Sequence, residues 1–451
     1  MQKMPHFGTK LCPKQLLVQK NTLFYTKTCL EQFPVQNLGP CCTGTGYLTP
    51  CGKMFCGEDS LSLESYTNLN IMKRSIFKSA VLVLAAALCL VSCAQPQEKV
   101  WGWVSGSLSM PDEKLEHYFS KCKEVGIDAV IMECHSGKPV VLDSTSFRDS
   151  AALEILRRAV PYAKKYGIEL HAWMWTTNRV EMHLRQAHPE WYQVNAQGES
   201  CLDIKLYNRE HYRWLCPSHP ECTEYLKDRV RELAEVEGLD GIHLDFIRYP
   251  DVILPYGLHE SRGVVQDKVY PLWDFCYCET CRAEFKKLTG IDPLDLEDPT
   301  SNEQWMQFRW DLMSRMASDI AAEIKRCGKT ASAAVFASPE ESKKLVRQDW
   351  ANFRNFDFLF PMIYHKFYAK EDSWVETATR EGVEALEAAG NPAKLCSGLF
   401  VGHVPADRIP EFLQYVENGG STGVCFFSLE GIDRNPEYWD KLKEALQAAR
   451  E

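Results

Sequence analysis

Carboxyl groups at the ends of predicted strands are the residues of this sequence best suited to acid–base chemistry. In the apolar segment Leu239–Pro250, His243 and Asp245 have the same parity and are predicted to share one face of a strand. A carboxylate on the inward face of such a strand is costly to bury unless it is hydrogen-bonded or lies at an open end. We therefore expect Asp245 at an open end. The alternative is that Asp245 only fixes a loop, by accepting hydrogen bonds from Arg248 or from backbone amides.

Acidic, aromatic and basic residues also collect at the ends of other predicted strands. Glu133 and His135 end the second strand, Trp173 and Trp175 end the third, and Glu430 follows the eighth. Taken singly, a tryptophan in a strand usually belongs to the core, and a lone histidine usually has a structural hydrogen-bonding role. Their occurrence at the same end of successive strands predicts a shared site.

The chain from Val100 onward alternates short apolar strands with amphipathic helices. Eight strands, each followed by a helix, predict an α/β fold, the (β/α)8 TIM barrel, which right-handed crossovers close naturally. An open doubly wound sheet is the alternative, but no Gly-rich phosphate turn follows the first strand. The predicted strands are Val100–Ser105, Ala129–His135, Glu169–Trp175, Gly241–Tyr249, Ala331–Ala337, Phe358–His365, Lys394–Val401 and Gly423–Leu429.

Two predicted connections are much longer than the few residues that usually follow a barrel strand. One runs from Thr176 to Glu221 after the third strand, and the other from Asp251 to Ser301 after the fourth. Both leave C-terminal strand ends, so both are expected over the same mouth as Asp245. They are expected to wall a cleft for an extended substrate, although long loops also form dimer contacts, and the oligomeric state stays open.

Composition excludes some classes of function. The chain has 451 residues, of which 25% are charged and 45% hydrophobic, and its net charge is -10. These values are typical of a soluble globular protein with a large core. The acidic balance and the lack of a basic stripe argue against nucleic acid as a partner.

The N-terminal region differs from the rest of the chain. Residues 1–71 hold six of the 19 cysteines and have no helical or alternating periodicity. A bacterial lipoprotein signal peptide is predicted over 72–93, because basic residues follow Met72, the apolar run Ala80–Val91 is too short to span a bilayer, and a small residue precedes Cys93. A small disulfide-rich or metal-binding module at the N-terminus is the alternative.

This signal predicts the domain organisation and the location. We expect translation to begin at Met72, with residues 1–71 as unstructured upstream sequence, and lipidation of Cys93. Residues 94–99 are then a short tether, and residues 100–451 are the catalytic barrel. The protein is expected in the cell envelope as a membrane-anchored lipoprotein of the outer membrane, facing the periplasm or the surface.

Three cysteines of the second long connection have metal-ligand spacing. Cys276, Cys278 and Cys281 are compact enough to bind one structural zinc ion with a fourth ligand, for which Cys216 and Cys222 are candidates. Export equally favours disulfides, so the three could pair with Cys201 or Cys222 instead. Either arrangement would stabilise a loop. No cofactor is expected for catalysis.

Four segments resemble motifs of the glycosyl hydrolase-like 10 family, across about the whole region from Val100 to Ile432. The fourth-strand segment is the most specific, and the resemblance carries Asp245 over by position. It implies an exported TIM-barrel glycosidase with a carbohydrate substrate. The segments are His171-Ala172-Trp173 with Arg179, Trp214-Leu215-Cys216-Pro217-Ser218-His219-Pro220-Glu221, residues 240–250, and Asp357-Phe358-Leu359-Phe360-Pro361-Met362-Ile363-Tyr364.

The fourth strand is also similar to the Asp-Gly-x-Asp-x-Asp-x-Glu strand of family 18 chitinases. Here His243 replaces the middle acid, and Ile247 stands where that family has its catalytic Glu. The chitinase mechanism, which uses the acetamido group of the substrate, therefore does not carry over directly.

A glycosidic bond is usually cleaved by two carboxyl groups, one protonating the leaving oxygen and one activating water or attacking the sugar. Asp245 is the first candidate, and Glu133 and then Glu430 are candidates for its partner. A single carboxylate with help from the substrate is the alternative. His243 and Arg248 are expected to tune Asp245. The predicted substrate-contacting residues are Trp173, Trp175, Tyr249 and Tyr364 for stacking on sugars, with Arg179, His135, His243, Arg248 and His365 for polar contacts.

Two alternative functions remain. The first is a non-catalytic glycan-binding lipoprotein on a barrel that has lost its chemistry, which the absent chitinase Glu supports. The second is a metal-dependent barrel hydrolase, for which His135, His171 and His243 on successive strands are the candidate ligands.

Overall fold

The structure, a computed structural model, describes residues 99–104, 110–135 and 150–450. The predicted upstream sequence, the signal peptide, the lipidated Cys93 and most of the tether lie outside these residues. No helix in the described ranges is both long and apolar enough to span a bilayer.

The strands form a closed parallel barrel, which confirms the predicted (β/α)8 fold. The first six strands pair in chain order, and the last strand pairs with the first. The seventh position is filled by two short strands separated by Cys396, and both of them pair with the sixth strand. The strands are β1 Lys99–Val104, β2 Ala129–His135, β3 Glu169–Trp175, β4 Gly241–Asp245, β5 Thr330–Phe336, β6 Phe358–Met362, β7 Lys394–Leu395, β8 Ser397–Phe400 and β9 Gly423–Phe427.

Helices follow the strands, and the two long connections contain additional short helices. The helices are α1 Asp112–Val125, α2 Ser150–Tyr166, α3 Met182–Ala187, α4 Pro220–Ala234, α5 His259–Arg262, α6 Glu279–Thr289, α7 Glu303–Arg326, α8 Pro339–Val346, α9 Trp374–Ala388, α10 Ile409–Asn418, α11 Leu429–Asp433 and α12 Pro436–Arg450. The connection after β3 contains α3, and the connection after β4 contains α5 and α6.

Three strands are shorter than predicted, for local reasons. Strand β4 ends at Asp245 because Phe246 has a φ of 51°, a left-handed conformation that cannot continue a strand. Strand β6 ends at Met362, shortly before a 3-10 turn over His365–Tyr368. Strand β9 ends at Phe427, and the side chain of Ser428 then caps α11.

Large aromatic side chains fill the barrel interior. Trp101 makes edge contacts with His171, Phe358 and Phe360 at ring distances of 4.9, 5.2 and 5.1 Å. Gly241 makes room for this layer, since a Cβ there would lie 2.1 Å from Nδ1 of His171. The lower barrel is therefore a packed core, and a substrate site has room only above it, at the C-terminal strand ends.

Candidate active site

A cavity of about 530 Å³ opens at the C-terminal end of the barrel, and both Asp245 and Glu133 line it. The strand ends also contribute Trp103, Trp173, Trp175 and Phe427. The two long connections supply the rest of the wall, with Tyr207, Arg209, His211 and Tyr212 from the first and Asp251, Leu254, Pro255, Leu258 and Arg262 from the second. Residues of both connections thus line the cavity at the barrel mouth.

Asp245 is held by two hydrogen-bond donors at the end of β4. Its Oδ1 accepts a hydrogen bond of 2.6 Å from the backbone N–H of Phe246, and its Oδ2 accepts one of 3.1 Å from Nε1 of Trp173. Only 8% of its surface is exposed. Because both oxygens have fixed partners, the carboxyl group keeps one orientation at the cavity floor.

The environment of Asp245 favours its protonated form. Burial, with a smaller contribution from the charge of Glu133, raises the pKa of Asp245 from 3.8 to about 6. The Phe246 N–H, Arg248 and Trp173 act in the opposite direction, because they stabilise the carboxylate. A carboxyl group with this pKa can hold a proton near neutral pH and release it, as a general acid must.

Glu133 lies one level deeper in the barrel than Asp245. The strand register places Glu133 opposite Trp173, whereas Asp245 lies opposite Trp175, two residues further along β3. Glu133 is 7% exposed. Two carboxyl groups at different depths therefore line one cavity, and acid–base hydrolysis of a glycosidic bond requires such a pair.

Aromatic faces wall the cavity beside the two acids. Trp175 packs against Phe246 with ring centroids 4.4 Å apart, and Tyr364 stacks on Phe427 at 5.7 Å with an interplanar angle of 19°. Tyr207 and Tyr212 add two further rings from the first long connection. Flat apolar rings with polar edges are suited to the apolar faces and hydroxyl groups of sugars.

Positive charges lie at the rim of the same cavity. Burial, followed by the charges of Arg209, Arg213 and Arg262, lowers the pKa of His211. Arg209 and Arg262 form no ion pair within the described part of the chain. Arg248 lies deeper, 3.4 Å from Oδ2 of Asp251 and over the rings of Trp214, Phe246 and Phe336. Arg209 and Arg262 thus place positive charge at the rim, although the whole chain is acidic.

Residues 114–246 match the model of a family described as hypothetical glycosyl hydrolase 6. The chain is similar to a glycosyl hydrolase family. The matched stretch includes both Glu133 and Asp245. It supports a glycosyl hydrolase-like family, although not the glycosyl hydrolase-like 10 family in particular. No curated protein sequence matches the chain.

Solved structures of glycosidases share the barrel. The catalytic domain of β-amylase from Paenibacillus polymyxa has a TM-score of 0.54 at 10% identity, over 79% of this chain and 99% of that one. The β-galactosidase from the psychrophilic Marinomonas ef1 has a TM-score of 0.53 at 10% identity, over 78% and 59%. The endo-1,4-β-mannanase from Rhizomucor miehei has a TM-score of 0.51 at 11% identity, over 79% and 96%. Likenesses at such low identity show the fold alone.

His243 does not reach the cavity. Its Nε2 accepts a hydrogen bond of 3.3 Å from Nε1 of Trp103, and its Nδ1 lies 3.0 Å from Oγ of Ser332. Because an indole N–H can only donate, Nδ1 carries the proton of a neutral ring. Burial also lowers the pKa of His243 well below its ordinary value. His243, which we predicted to contact substrate, therefore lies in the barrel core below Asp245 in this structure.

Glu430 and His135 also lie outside the cavity. Glu430 is in the first turn of α11, and after burial its charge is the main cause that raises the pKa of Tyr118 on α1. A register shift between Glu133 and His135 turns His135 away from the barrel interior. His135 lies near Glu181 instead. Burial raises the pKa of Glu181, but the charges of Arg179 and His135 help to hold that pKa below its usual value. Glu430 is therefore not a partner for Asp245 in this structure.

Three further predicted contact residues have structural roles beside the cavity. Arg179 pairs with Glu181 and donates a hydrogen bond of 2.8 Å to the backbone oxygen of Trp175. The Tyr249 hydroxyl donates one of 3.3 Å to the backbone oxygen of Arg309. Nε2 of His365 lies 2.8 Å from Oδ1 of Asp372. The alternation of a strand stops at its last residue, so parity no longer predicts the direction of these side chains.

Sequence reasoning missed the residues that the long connections contribute. Tyr207, Arg209, His211 and Arg262 lie in irregular or short helical segments, where no periodicity indicates which side chain faces inward. The only sequence feature that pointed to these residues was the length of the two connections, which predicted that the connections lie over the mouth.

A second cavity, of about 620 Å³, lies beside the first and shares Phe427 with it. Its lining includes Lys366, His403 and Arg434 but, among the described residues, no Asp or Glu. It therefore lacks the carboxyl pair on which glycosidic hydrolysis depends.

Four cysteines meet outside the barrel, where the two long connections contact each other. Cys216, Cys276, Cys278 and Cys281 have sulfur atoms all within 4.8 Å of one another, and all four are buried. This is the only such group of three or more potential metal ligands in the described ranges, so His135, His171 and His243 do not form one. Cys201 and Cys222 lie outside the group, and the predicted pairing with them is not present because all eleven described cysteines are free thiols.

Proposed function

We propose that this protein is a glycoside hydrolase that cleaves O-glycosidic bonds of an oligo- or polysaccharide. The observation that carries the proposal is the presence of Asp245 and Glu133 together in one aromatic-walled cavity at the barrel mouth. Acid–base hydrolysis needs two carboxyl groups of different proton affinity, and burial beside Glu133 raises the pKa of Asp245 to about 6.

In this proposal Asp245 is the general acid. It transfers its proton to the glycosidic oxygen as the bond from that oxygen to the anomeric carbon breaks. Glu133, as a carboxylate, either takes a proton from the water that adds to the anomeric carbon or attacks that carbon itself. The first route inverts the anomeric configuration and the second retains it, so NMR of the first-formed product distinguishes them. In the first route Glu133 then loses the proton that it took, and Asp245 takes up one from solvent. In the second route water hydrolyses the ester between the sugar and Glu133, and the proton of that water restores Asp245.

The substrate we propose is a glycan, and the basic rim favours one that carries acidic groups. Trp175 and Tyr364 offer faces for sugar rings, while Arg209 and Arg262 offer guanidinium groups to carboxylate or sulfate substituents. Hydrolysis of matched neutral and acidic oligosaccharides at low and high salt tests this preference. Faster cleavage of the acidic glycan, lost at high salt, supports it.

We also propose that the enzyme is lipid-anchored through Cys93 in the cell envelope. The sequence pattern of residues 72–93 supports this location, as does the need of an extracellular glycan for an exported enzyme. Closer kinship with the glycosyl hydrolase-like 10 family, suggested by the motif around Asp245, belongs to the same proposal. Loss of membrane association in a Cys93→Ala variant, measured by fractionation, tests the anchor.

The deciding experiment is hydrolysis of a glycan array by the fragment Gln95–Glu451, with the products identified by mass. A glycosidase releases shorter glycans, and the Asp245→Asn variant binds them without release. A non-catalytic glycan-binding protein retains glycans on the array in both forms and releases none. That second result would replace the proposed activity with a binding function.

A further inference from the structure

We infer that Cys216, Cys276, Cys278 and Cys281 bind one structural zinc ion, which joins the two long connections that wall the cavity. Sγ of Cys216 lies 3.6 Å from Sγ of Cys278 and 3.4 Å from Sγ of Cys281. Tetrahedral zinc with Zn–S bonds of about 2.3 Å separates its sulfur ligands by about 3.8 Å. The sulfur atoms of a disulfide lie only about 2 Å apart, so the group has the spacing of a metal site.

The surroundings of the sulfur atoms suit thiolate ligands. Backbone N–H groups of Val194 and Cys278 both point at Sγ of Cys276 at 3.5 Å, and that of Cys281 points at Sγ of Cys278 at the same distance. N–H donors to sulfur stabilise the deprotonated form that a metal needs. Without a metal, the hydrogen bonds between the four thiols themselves would be weak. Four sulfur ligands in a compact group select zinc or iron over harder cations.

The position of the group gives the ion a structural consequence. Cys216 ends the segment of the first connection that carries Tyr207, Arg209 and His211, and Cys276 follows the segment of the second that carries Asp251 and Arg262. Zinc would thus crosslink the two connections that line the cavity.

The two connections also contact each other directly. The backbone N–H of Tyr277 donates a hydrogen bond of 2.8 Å to the oxygen of Val194. The Tyr207 hydroxyl donates one of 2.8 Å to the backbone oxygen of Asp251, and its ring stacks on Trp273 at 5.7 Å. The ion would reinforce this junction, so we expect metal loss to loosen the walls while the barrel strands stay paired.

Metal analysis of the full chain tests the inference without any substrate. Protein purified after growth with zinc and iron is expected to contain one zinc ion per chain by elemental analysis, and Cys216→Ser and Cys278→Ser are expected to lose it. Cys222→Ser is the matched control, because Cys222 is a buried thiol nearby that lies outside the group. Zinc retained in the control and lost in the other two variants supports the assignment.

Some variants of buried cysteines fail to fold, so a second measurement uses the unchanged protein. Exchange of the bound metal for Co²⁺ is expected to produce the intense near-ultraviolet absorption of cobalt–thiolate bonds. Protein without bound metal, protein with iron in place of zinc, or a disulfide between any two of the four cysteines by mass spectrometry would overturn the inference.

The effect on the cavity rests on the proposed function, whereas the metal content does not. Zinc removal by a chelator is expected to expose residues 176–215 and 251–275 to limited proteolysis and to raise KM severalfold more than it lowers kcat. Full zinc occupancy in a protein without hydrolytic activity would contradict the proposed function and would leave the zinc site supported.

Discussion

Trp173 donates its indole N–H to Asp245 across neighbouring strands, with 3.1 Å between Nε1 and Oδ2. Sequence reasoning assigned Trp173 to sugar stacking, but the polar edge of its ring is occupied by the acid. A donor at this position stabilises the carboxylate and opposes the effect of burial on the pKa of Asp245. Trp173 is therefore a positioning residue that also adjusts when Asp245 releases its proton.

Replacing Trp173 by Phe is expected to raise the pKa of Asp245 above about 6, because the variant loses a donor to the ionised form. If Asp245 is the general acid, activity falls as pH rises through its pKa, so the alkaline limb of the kcat/KM profile moves to higher pH. Trp175→Phe is the control, since the Trp175 indole N–H has no hydrogen-bond partner among the described residues. Equal shifts in both variants would contradict a specific role for Trp173.

Asp245→Asn is expected to reduce kcat by at least about 100-fold, because Asn cannot transfer a proton. Binding of an uncleaved oligosaccharide, measured by calorimetry, should change little. Glu430→Gln is the matched control, since Glu430 lies outside the cavity despite its position at a strand end. Wild-type kcat in Asp245→Asn would remove Asp245 from the mechanism.

Glu133→Gln is expected to have two effects that distinguish a catalytic role of Glu133 from a structural one. It should lower kcat by about 100-fold or more, and it should lower the pKa of Asp245, because the Glu133 charge raises that pKa in the native protein. The shift has the opposite sign to that of Trp173→Phe. Titration of the Asp245 carboxyl carbon by NMR measures both shifts, and an unchanged pKa would show that the two acids do not interact.

The buried acid also predicts how stability depends on pH. Burial raises the pKa of Asp245 from 3.8 to about 6, so its contribution to stability is fully present below about pH 4 and is lost as pH rises through about 6. Asn does not ionise, so the Tm of Asp245→Asn relative to wild type should increase from about pH 4 to about pH 8, by the equivalent of up to about 3 kcal/mol. Differential scanning calorimetry across this range measures it.

Trp101→Ala is expected to destabilise the barrel by about 3–5 kcal/mol, because it leaves a cavity in the aromatic layer of the lower core. Val265→Ala, at a side chain that is 83% exposed, should change stability by less than about 0.5 kcal/mol. Urea unfolding followed by circular dichroism compares the two. A loss below about 1 kcal/mol for Trp101→Ala would show that the interior repacks around the gap.

Much of the barrel and part of the site were predictable from the sequence. Strands β2 and β3 were predicted at their observed limits, because buried parallel strands between amphipathic helices have a clear apolar pattern. The alternation within β2, β3 and β4 also predicted Glu133, Trp173 and Asp245 at one barrel end. These assignments needed only local periodicity, together with the rule that parallel strands bring their C-terminal ends together.

The tertiary structure decided where the side chains at and beyond the strand ends lie. A register shift points His135 away from the barrel interior, and Glu430 lies in a short helix outside the cavity. Arg179 forms an ion pair with Glu181 beside the cavity. The tertiary structure also selected Cys216 over Cys222 for the group of four thiols. The alternation of residues along a strand specifies the direction of their side chains only while the backbone is regular. The sequence alone therefore determined the fold and which acids on the strands face inward. The loop residues that complete the cavity depend on long-range contacts between segments far apart in the chain.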